Sequence, residues 1–363
     1  MIITEEKKKS DDLQQKTKSA YLLLQLITQC CHGVTNTQFI APDPKPDWFD
    51  DLNDKLDIAK SHSTHWIDDI APDITSGVPL QVIDYGTTYD ALTDEIVNIA
   101  DAHPDASGKD NKYVKEVHAL VSALHSSVKD IVDNADEMAK NLTDWGDSMQ
   151  ASHDDLSTGA ASIQSAETDL ATDISKMNAA METLRQEIAS ENKAIAASAG
   201  AVGGGVFLLV VGIALAPVSG GTSLVVGGIG GALIIGGAVT WGVMQAKIDK
   251  QFKEIAEDQK ELDDDKRQLV ALQGLASASK NALDYIDDAT SALSEFRTSW
   301  SGFEGELKQV LAKLEKAEDS LQIIVSKAFT VAAKEEWAIA TKYAEDLQNA
   351  PVDLPAKVLQ MAS

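Results

Sequence analysis

The chain is short of almost everything that a compact, sheet-based enzyme requires. Only two of its 363 residues are cysteine, Cys30 and Cys31, and they are neighbours. Adjacent cysteines rarely pair with each other, and no second pair exists to form a framework. Both therefore read as small apolar residues of a helix. Aromatic residues make up 5% of the chain. Basic residues are outnumbered, 31 Lys and Arg against 57 Asp and Glu, for a formal net charge of −26. With no basic face to neutralise phosphates, nucleic acid is excluded as a partner. Charge-driven recruitment to anionic lipid is excluded on the same ground, so any membrane attraction must be hydrophobic.

Clusters that carry chemistry are missing as well. The seven histidines are scattered. His62 and His65 flank Ser63 and Thr64 without the Cys or carboxylate arrangement of a zinc site, and read as surface residues of a helix. Gly203, Gly204 and Gly205 are not followed by Lys-Ser/Thr, so they form no phosphate loop. Asp50 with Asp51, and Asp263 to Asp265, read as solvated helix faces, and no EF-hand loop is present. The expectation is a protein with no catalytic residues, no cofactor and no metal. The opening MIITEEKKKSDD mixes acids with lysines before a short apolar run, 21–31. It lacks the basic start, long apolar centre and cleavage site of a secretion signal.

Proline is sparse, and its placement organises the chain. Six of the nine prolines fall by Pro104, Pro351 and Pro355 lie near the end, and Pro217 stands alone between. Helix interiors disfavour proline, which lacks an N–H and clashes with the preceding turn. The stretches 105–216 and 218–350 can therefore hold very long helices. Apolar residues at Val114, Val117, Val121, Leu124, Val128, Ile131, Ala135, Met138, Leu142, Trp145 and Met149 step by three and four, the seam of a packed helix. After a slip at 152–166, the seam resumes at Leu170, Ile174, Met177, Met181, Leu184 and Ile188. A return seam runs through Ile248, Phe252, Ile255, Leu262, Leu269, Leu272, Ala276, Leu283 and Ile286, with the small polar Ser279 at one position. It continues through Leu293, Trp300, Leu307, Leu314, Leu321 and Ile324 towards Leu347. Unbroken, 114–193 would extend roughly 120 Å at 1.5 Å per residue; breaks are expected near 157–160 and 301–305. Upstream, 11–31, 48–70 and 80–102 read as shorter helices. Loops between them are expected at Pro42, Pro44 and Pro46, at Pro72 and Pro79, and from Pro104 to Gly108. The fold class is all-α, an elongated bundle of about five long helices.

Against this amphipathic background one segment stands apart. From 194 to 246 no residue is charged, while Glu191, Lys193, Lys247 and Asp249 stand just outside. Within it lie two apolar arms, 194–216 and 224–244, each long enough to cross about 30 Å of hydrocarbon as a helix. Pro217, Gly220 and Gly221 mark a turn between them. The residues expected to enter lipid are Val206, Phe207, Leu208, Leu209, Val210, Val211, Ile213 and Leu215 of the first arm. In the second they are Leu224, Val225, Val226, Ile229, Leu233, Ile234, Ile235, Val239 and Trp241, with Trp241 suited to the lipid–water boundary. The domain plan is thus 1–193 and 247–363 as tail helices, with 194–246 as a membrane-inserting head.

Fourteen of the 23 glycines fall in this head. Gly200 with Gly204, and Gly227 with Gly231, have the GxxxG spacing that lets membrane helices approach. Glycine also weakens a helix in water by roughly 1 kcal/mol relative to alanine, so a different conformation outside lipid is expected. The polar side chains Ser198, Ser219, Thr222, Ser223, Thr240 and Gln245 sit mostly at the turn or ends. They make no polar stripe for a water-filled pore, so a hydrated wall would need an amphipathic partner. The rival reading is an integral membrane scaffold, with a hairpin anchor and coiled-coil domains.

Long helices around the mid-chain run AIAASAGAVGGGVFLLVVGIALAPVSGGTSLVVGGIGGALIIGGAVTWGVMQA resemble the α-pore-forming toxins of the cytolysin A superfamily. The likeness is greatest to tripartite toxins of the haemolysin BL and non-haemolytic enterotoxin type, which also occur in Gram-negative bacteria. The component resembled is the B component, whose head carries two apolar spanning arms. The resemblance implies a secreted, soluble form that rearranges at a target cell membrane, oligomerises into a ring and lyses the cell. Partner components of the tripartite toxin would complete the hydrophilic channel.

Overall fold

A computed structural model describes residues 2–35, 45, 47, 49–166, 206–218, 221–233, 264–316, 319–349, 352–353 and 356–359. Its helices are α1 (Ile2–Thr35), α2 (Phe49–His65), α3 (Ala71–Ala102), α4 (Lys112–Ala166), α5 (Asp264–Lys316), α6 (Leu321–Ala328) and α7 (Val331–Gln348). Two compact units are formed. The first takes Met1–Tyr21, Ile74–Lys140 and Thr290–Asn349; the second takes Leu22–Asp73, Asn141–Ala289 and Ala350–Ser363. The helical bundle is as the spacing of apolar residues predicts.

In the first unit the α4 seam is buried at Val114, Val117, Val121, Leu124, Val128 and Ala135. Facing residues of α5 and beyond, Leu293, Trp300, Leu307, Leu314, Leu321 and Leu347, are buried too. Removing these side chains from water is the main driving force of the bundle. The scarce aromatics are concentrated here. Tyr85 and Tyr89 of α3, Phe296, Trp300 and Phe303 of α5, and Phe329 and Trp337 around α7 form one cluster. Tyr85 meets Trp337 with ring centroids 4.6 Å apart and Trp300 at 5.2 Å, both edge to face. Edge-on geometry sets the positive rim of one ring against the negative face of the next.

In the second unit, Leu24, Ile27, Cys30, Cys31, Leu52, Leu56, Trp66, Leu142, Met149 and Leu156 are buried together. Trp66 packs on Trp145 at 4.5 Å. Each indole finds an acceptor: Trp66 Nε1 donates to Thr28 Oγ1 at 2.9 Å, and Trp145 Nε1 to the His62 carbonyl at 3.0 Å. Burial pushes the thiols of Cys30 and Cys31 well above the usual range, so both stay protonated and inert. Their reading as apolar helical residues stands.

Several sequence expectations fail, each for a local reason. Pro72 and Pro79 do not mark loops. The helical path runs from Phe49 to Ala102 without leaving helical geometry, through a π turn at Trp66–Ile70. That wider turn, with Ala71 N–H bonded to the Trp66 carbonyl, stands immediately before Pro72, and an extra residue per turn relieves proline's clash with the preceding turn. Pro79 remains inside α3, beside the fully buried Val78 and Val82, whose packing holds the helix despite one lost donor.

No break appears at 157–160 or 301–305, because α4 and α5 run through both. Gly159 is a packing residue rather than a breaker: a Cβ there would lie 3.2 Å from Leu52 Cδ1 of α2. Conversely, the return seam is interrupted between α5 and α6 without any proline. The first N–H groups of α6 are bonded from outside, Leu321 N–H to the Ala106 carbonyl at 2.8 Å and Gln322 N–H to the Pro104 carbonyl at 3.4 Å. A second break precedes α7, where Thr330 Oγ1 accepts from Ala333 N–H at 3.0 Å as an N-cap. His62 also departs from expectation. It is half-buried, with Nδ1 2.9 Å from Ser152 Oγ, whereas His65 is exposed and pairs with Asp69.

Candidate functional site

The candidate site lies in the charge-free segment, where the described backbone is extended rather than helical. Strands β1 (Val206–Val218) and β2 (Gly221–Leu233) pair antiparallel in unbroken register, from Val206 opposite Leu233 to Val218 opposite Gly221. Val, Ile and Leu dominate β1 and are matched in number by glycine in β2, and the β-branched Val and Ile favour the pleated form. Glycine at 227, 228, 230 and 231 further weakens the helical alternative in water. The ladder pairs the inward-facing backbone groups of the two strands with each other and leaves their outer edges to other partners.

The chain's last segment joins this sheet. Strands β3 (Val352–Asp353) and β4 (Ala356–Leu359) pair antiparallel with β2 on the side away from β1. Val352 stands opposite Leu233 and Asp353 opposite Ala232. Ala356 then pairs with Ile229, Lys357 with Gly228, Val358 with Gly227 and Leu359 with Val226. Strand β2 is therefore central, and β1 is an edge. Pro217, which has no N–H to give a ladder, sits near the end of that edge strand, a position where proline is tolerated. Pairing of the C-terminal residues with the apolar hairpin is invisible to periodicity, since the two lie far apart in sequence. Its one local signal is the short run 356–359 with Val358, behind Pro355.

The expected lipid-entering residues divide accordingly. Val206, Phe207, Leu208, Leu209, Val210, Val211, Ile213 and Leu215 all lie on β1. Leu224, Val225, Val226, Ile229 and Leu233 lie on β2. Ile234, Ile235, Val239, Trp241, Gly220, Gly200 and Gly204 fall outside the described residues. Of the expected turn, Pro217 is a β1 residue and Gly221 opens β2. Gly227 and Gly231, expected at a helix–helix contact, are β2 residues opposite Gly212 and Leu208. Among the described residues, no helix is long and apolar enough to cross a membrane, and no cluster of His, Cys, Asp or Glu is arranged to hold a metal ion.

The family model of the Bacillus haemolytic enterotoxin (HBL) matches residues 6–197, over half of the chain, and the chain belongs to that family. The matched region ends before β1, so membership rests on residues 6–197 and not on the paired strands. Solved structures agree on the fold. SmhB of the tripartite α-pore-forming toxin Smh from Serratia marcescens is 13% identical and superposes with a TM-score of 0.69, covering 94% of this chain and 91% of that one. AhlB of the tripartite toxin AHL from Aeromonas hydrophila is 15% identical, with a TM-score of 0.70 and coverage of 93% and 92%. The HblL1 toxin component of Bacillus cereus is 14% identical, with a TM-score of 0.66 and coverage of 95% and 97%. No match is found among curated proteins. Family membership places the chain among pore-forming toxins and not among enzymes.

Proposed function

We propose that this chain is the membrane-inserting component of a multi-component pore-forming toxin, equivalent to a B component. Segment 194–246 is its head, held between tail regions 1–193 and 247–363. The observation that carries the reading is the length of the charge-free run, 53 residues bounded by Lys193 and Lys247. Such a run is stable among acyl chains and needs cover in water.

The hairpin's topology adds a requirement. A two-stranded sheet has open edges, and no water in the bilayer core can satisfy them. Strands β1 and β2 therefore cannot cross as they stand; arms 194–216 and 224–244 must become helices. Gly200 with Gly204, and Gly227 with Gly231, then acquire the spacing for close helix contact, within one hairpin or between copies in a ring. The secreted form keeps the hairpin paired with β3 and β4, and the target cell membrane receives it. Other components of a tripartite toxin supply the polar channel wall that these arms lack.

Flotation with liposomes, following protease protection of 206–233, tests insertion. Wild-type protein purified without detergent is expected to float and to protect the hairpin. Leu209→Asp should retain the water-soluble fold and lose protection, since a central charge costs about 3 kcal/mol on the translocon scale. Equal protection in that variant overturns the assignment of the first arm. Recovery only in detergent from the outset supports the hairpin-anchored scaffold instead.

A further inference from the structure

The first unit contains a cavity of about 290 Å3 between α3, α5, α6 and α7. Its floor is aromatic: Tyr85, Tyr89, Phe303, Phe329 and Trp337 all line it. These rings are tilted against one another rather than stacked in parallel. Phe303 and Trp337 have centroids 5.0 Å apart at 53°, and Tyr89 and Trp337 lie 5.7 Å apart at 38°. Four charged side chains, Glu306, Lys313, Lys327 and Glu336, also line it, and the rest of the lining is aliphatic apart from Gln309, with Leu13 contributed by α1. Lys313 and Lys327 are exposed and make no ion pair among the described residues.

We propose that this cavity binds the phosphocholine headgroup of choline-bearing lipids, with the aromatic floor and Glu306 receiving the trimethylammonium and Lys313 with Lys327 receiving the phosphate. A quaternary ammonium is bulky, weakly hydrated and cannot donate hydrogen bonds. Several ring faces set at angles around it are the established means of recognising it. Burial first, then Tyr89 and the Glu306 carboxylate, hold the Tyr85 phenol's ionisation well above the usual range, so Glu306 lies within electrostatic reach of the aromatic residues. The Lys313 and Lys327 ammonium groups in the lining supply the opposite sign, which a zwitterion needs and a simple cation does not. The volume stands near the lower limit for small-molecule sites, in keeping with a headgroup rather than a whole lipid. The chain's net charge of −26 disfavours anionic surfaces, and a neutral zwitterionic headgroup is compatible with it.

The inference deepens the membrane reading above, but headgroup binding is measurable without any insertion. The full-length protein is titrated with free phosphocholine, choline chloride and inorganic phosphate, following the indole resonance of Trp337, assigned with Trp337→Phe. Saturable shifts are expected with phosphocholine, weaker ones with choline and the weakest with phosphate. Glu306→Gln should weaken choline and phosphocholine alike by about tenfold, and Lys313→Gln with Lys327→Gln should weaken phosphocholine while sparing choline. All three are surface substitutions, and circular dichroism verifies their folding. Flotation should favour phosphatidylcholine vesicles over phosphatidylethanolamine vesicles, which lack the methyl groups.

Absence of any phosphocholine shift, equal flotation on the two lipids, or variants that bind like wild type would each overturn the site. Hairpin protection on choline-free vesicles, together with no phosphocholine binding, would refute the site and leave the toxin reading intact. Phosphocholine binding with no hairpin protection on any vesicle would support the site and count against that reading.

Discussion

At Gly86 the α3 backbone passes so close to α7 that a Cβ would overlap Thr341 Oγ1. Alanine there gains about 1 kcal/mol of helix propensity but overpacks the contact, which typically costs about 1–3 kcal/mol. Gly86→Ala is therefore expected to lower the urea midpoint. Thr341→Ala, which removes a buried hydroxyl lacking a hydrogen-bond partner, should be nearly neutral alone and should rescue the double variant. A cycle without such coupling would refute the contact. Tyr85 makes a second case. Its phenol is held protonated first by burial, then by Tyr89 and Glu306. The native value thus lies above the unfolded value of about 10. The stabilisation is complete below that pH and is lost as pH rises towards the native value, because the unfolded chain releases the proton first. Denaturation midpoints should fall above about pH 10, and less steeply in Tyr85→Phe. Seam residues such as Val121 and Leu124 were legible in the sequence from spacing alone. The buried side of His62 was not, because Ser152, its partner, sits ninety positions away on another helix.

Among elements, long helices were legible from the three–four seam within the described residues, as in α4 and α5, and their ends were legible only where chain neighbours made them. The π turn before Pro72 and the cap of α6 by carbonyls of Pro104 and Ala106 depend on packing, so proline counting misplaced both features. The hairpin is subtler. Its position and turn region follow from the charge-free run, yet apolar length alone cannot choose strand over helix. Pairing with β3 and β4 supplies part of that choice. On the proposed reading, it also makes those strands an obstacle to the strand-to-helix conversion that insertion would require. Cysteines introduced at Gly228 and Lys357, which stand opposite each other in the ladder, are expected to form a disulfide that blocks hairpin protection on liposomes. Reducing agent should restore it. Insertion that persists with the disulfide intact would show that β4 need not leave β2.

For the molecule as a whole, the absence of a polar stripe in either arm bears on what one component achieves. Permeabilisation should require partners: dye release from liposomes by this chain alone is expected to be slight, and to rise steeply with a component bearing an amphipathic head. Strong release with ordinary ion conductance by the lone chain would contradict that division of labour. The sequence by itself determined the helical class, the buried positions along the described parts of the seams and the location of the charge-free run. Periodicity and charge are local quantities, and they report which face of an element avoids water. Tertiary structure alone decided the aromatic cavity of the first unit, the glycine contact between α3 and α7, and the capture of β2 by the C-terminal strands. Each joins residues that are distant in the chain, so its energy arises only once the helices and strands are already side by side.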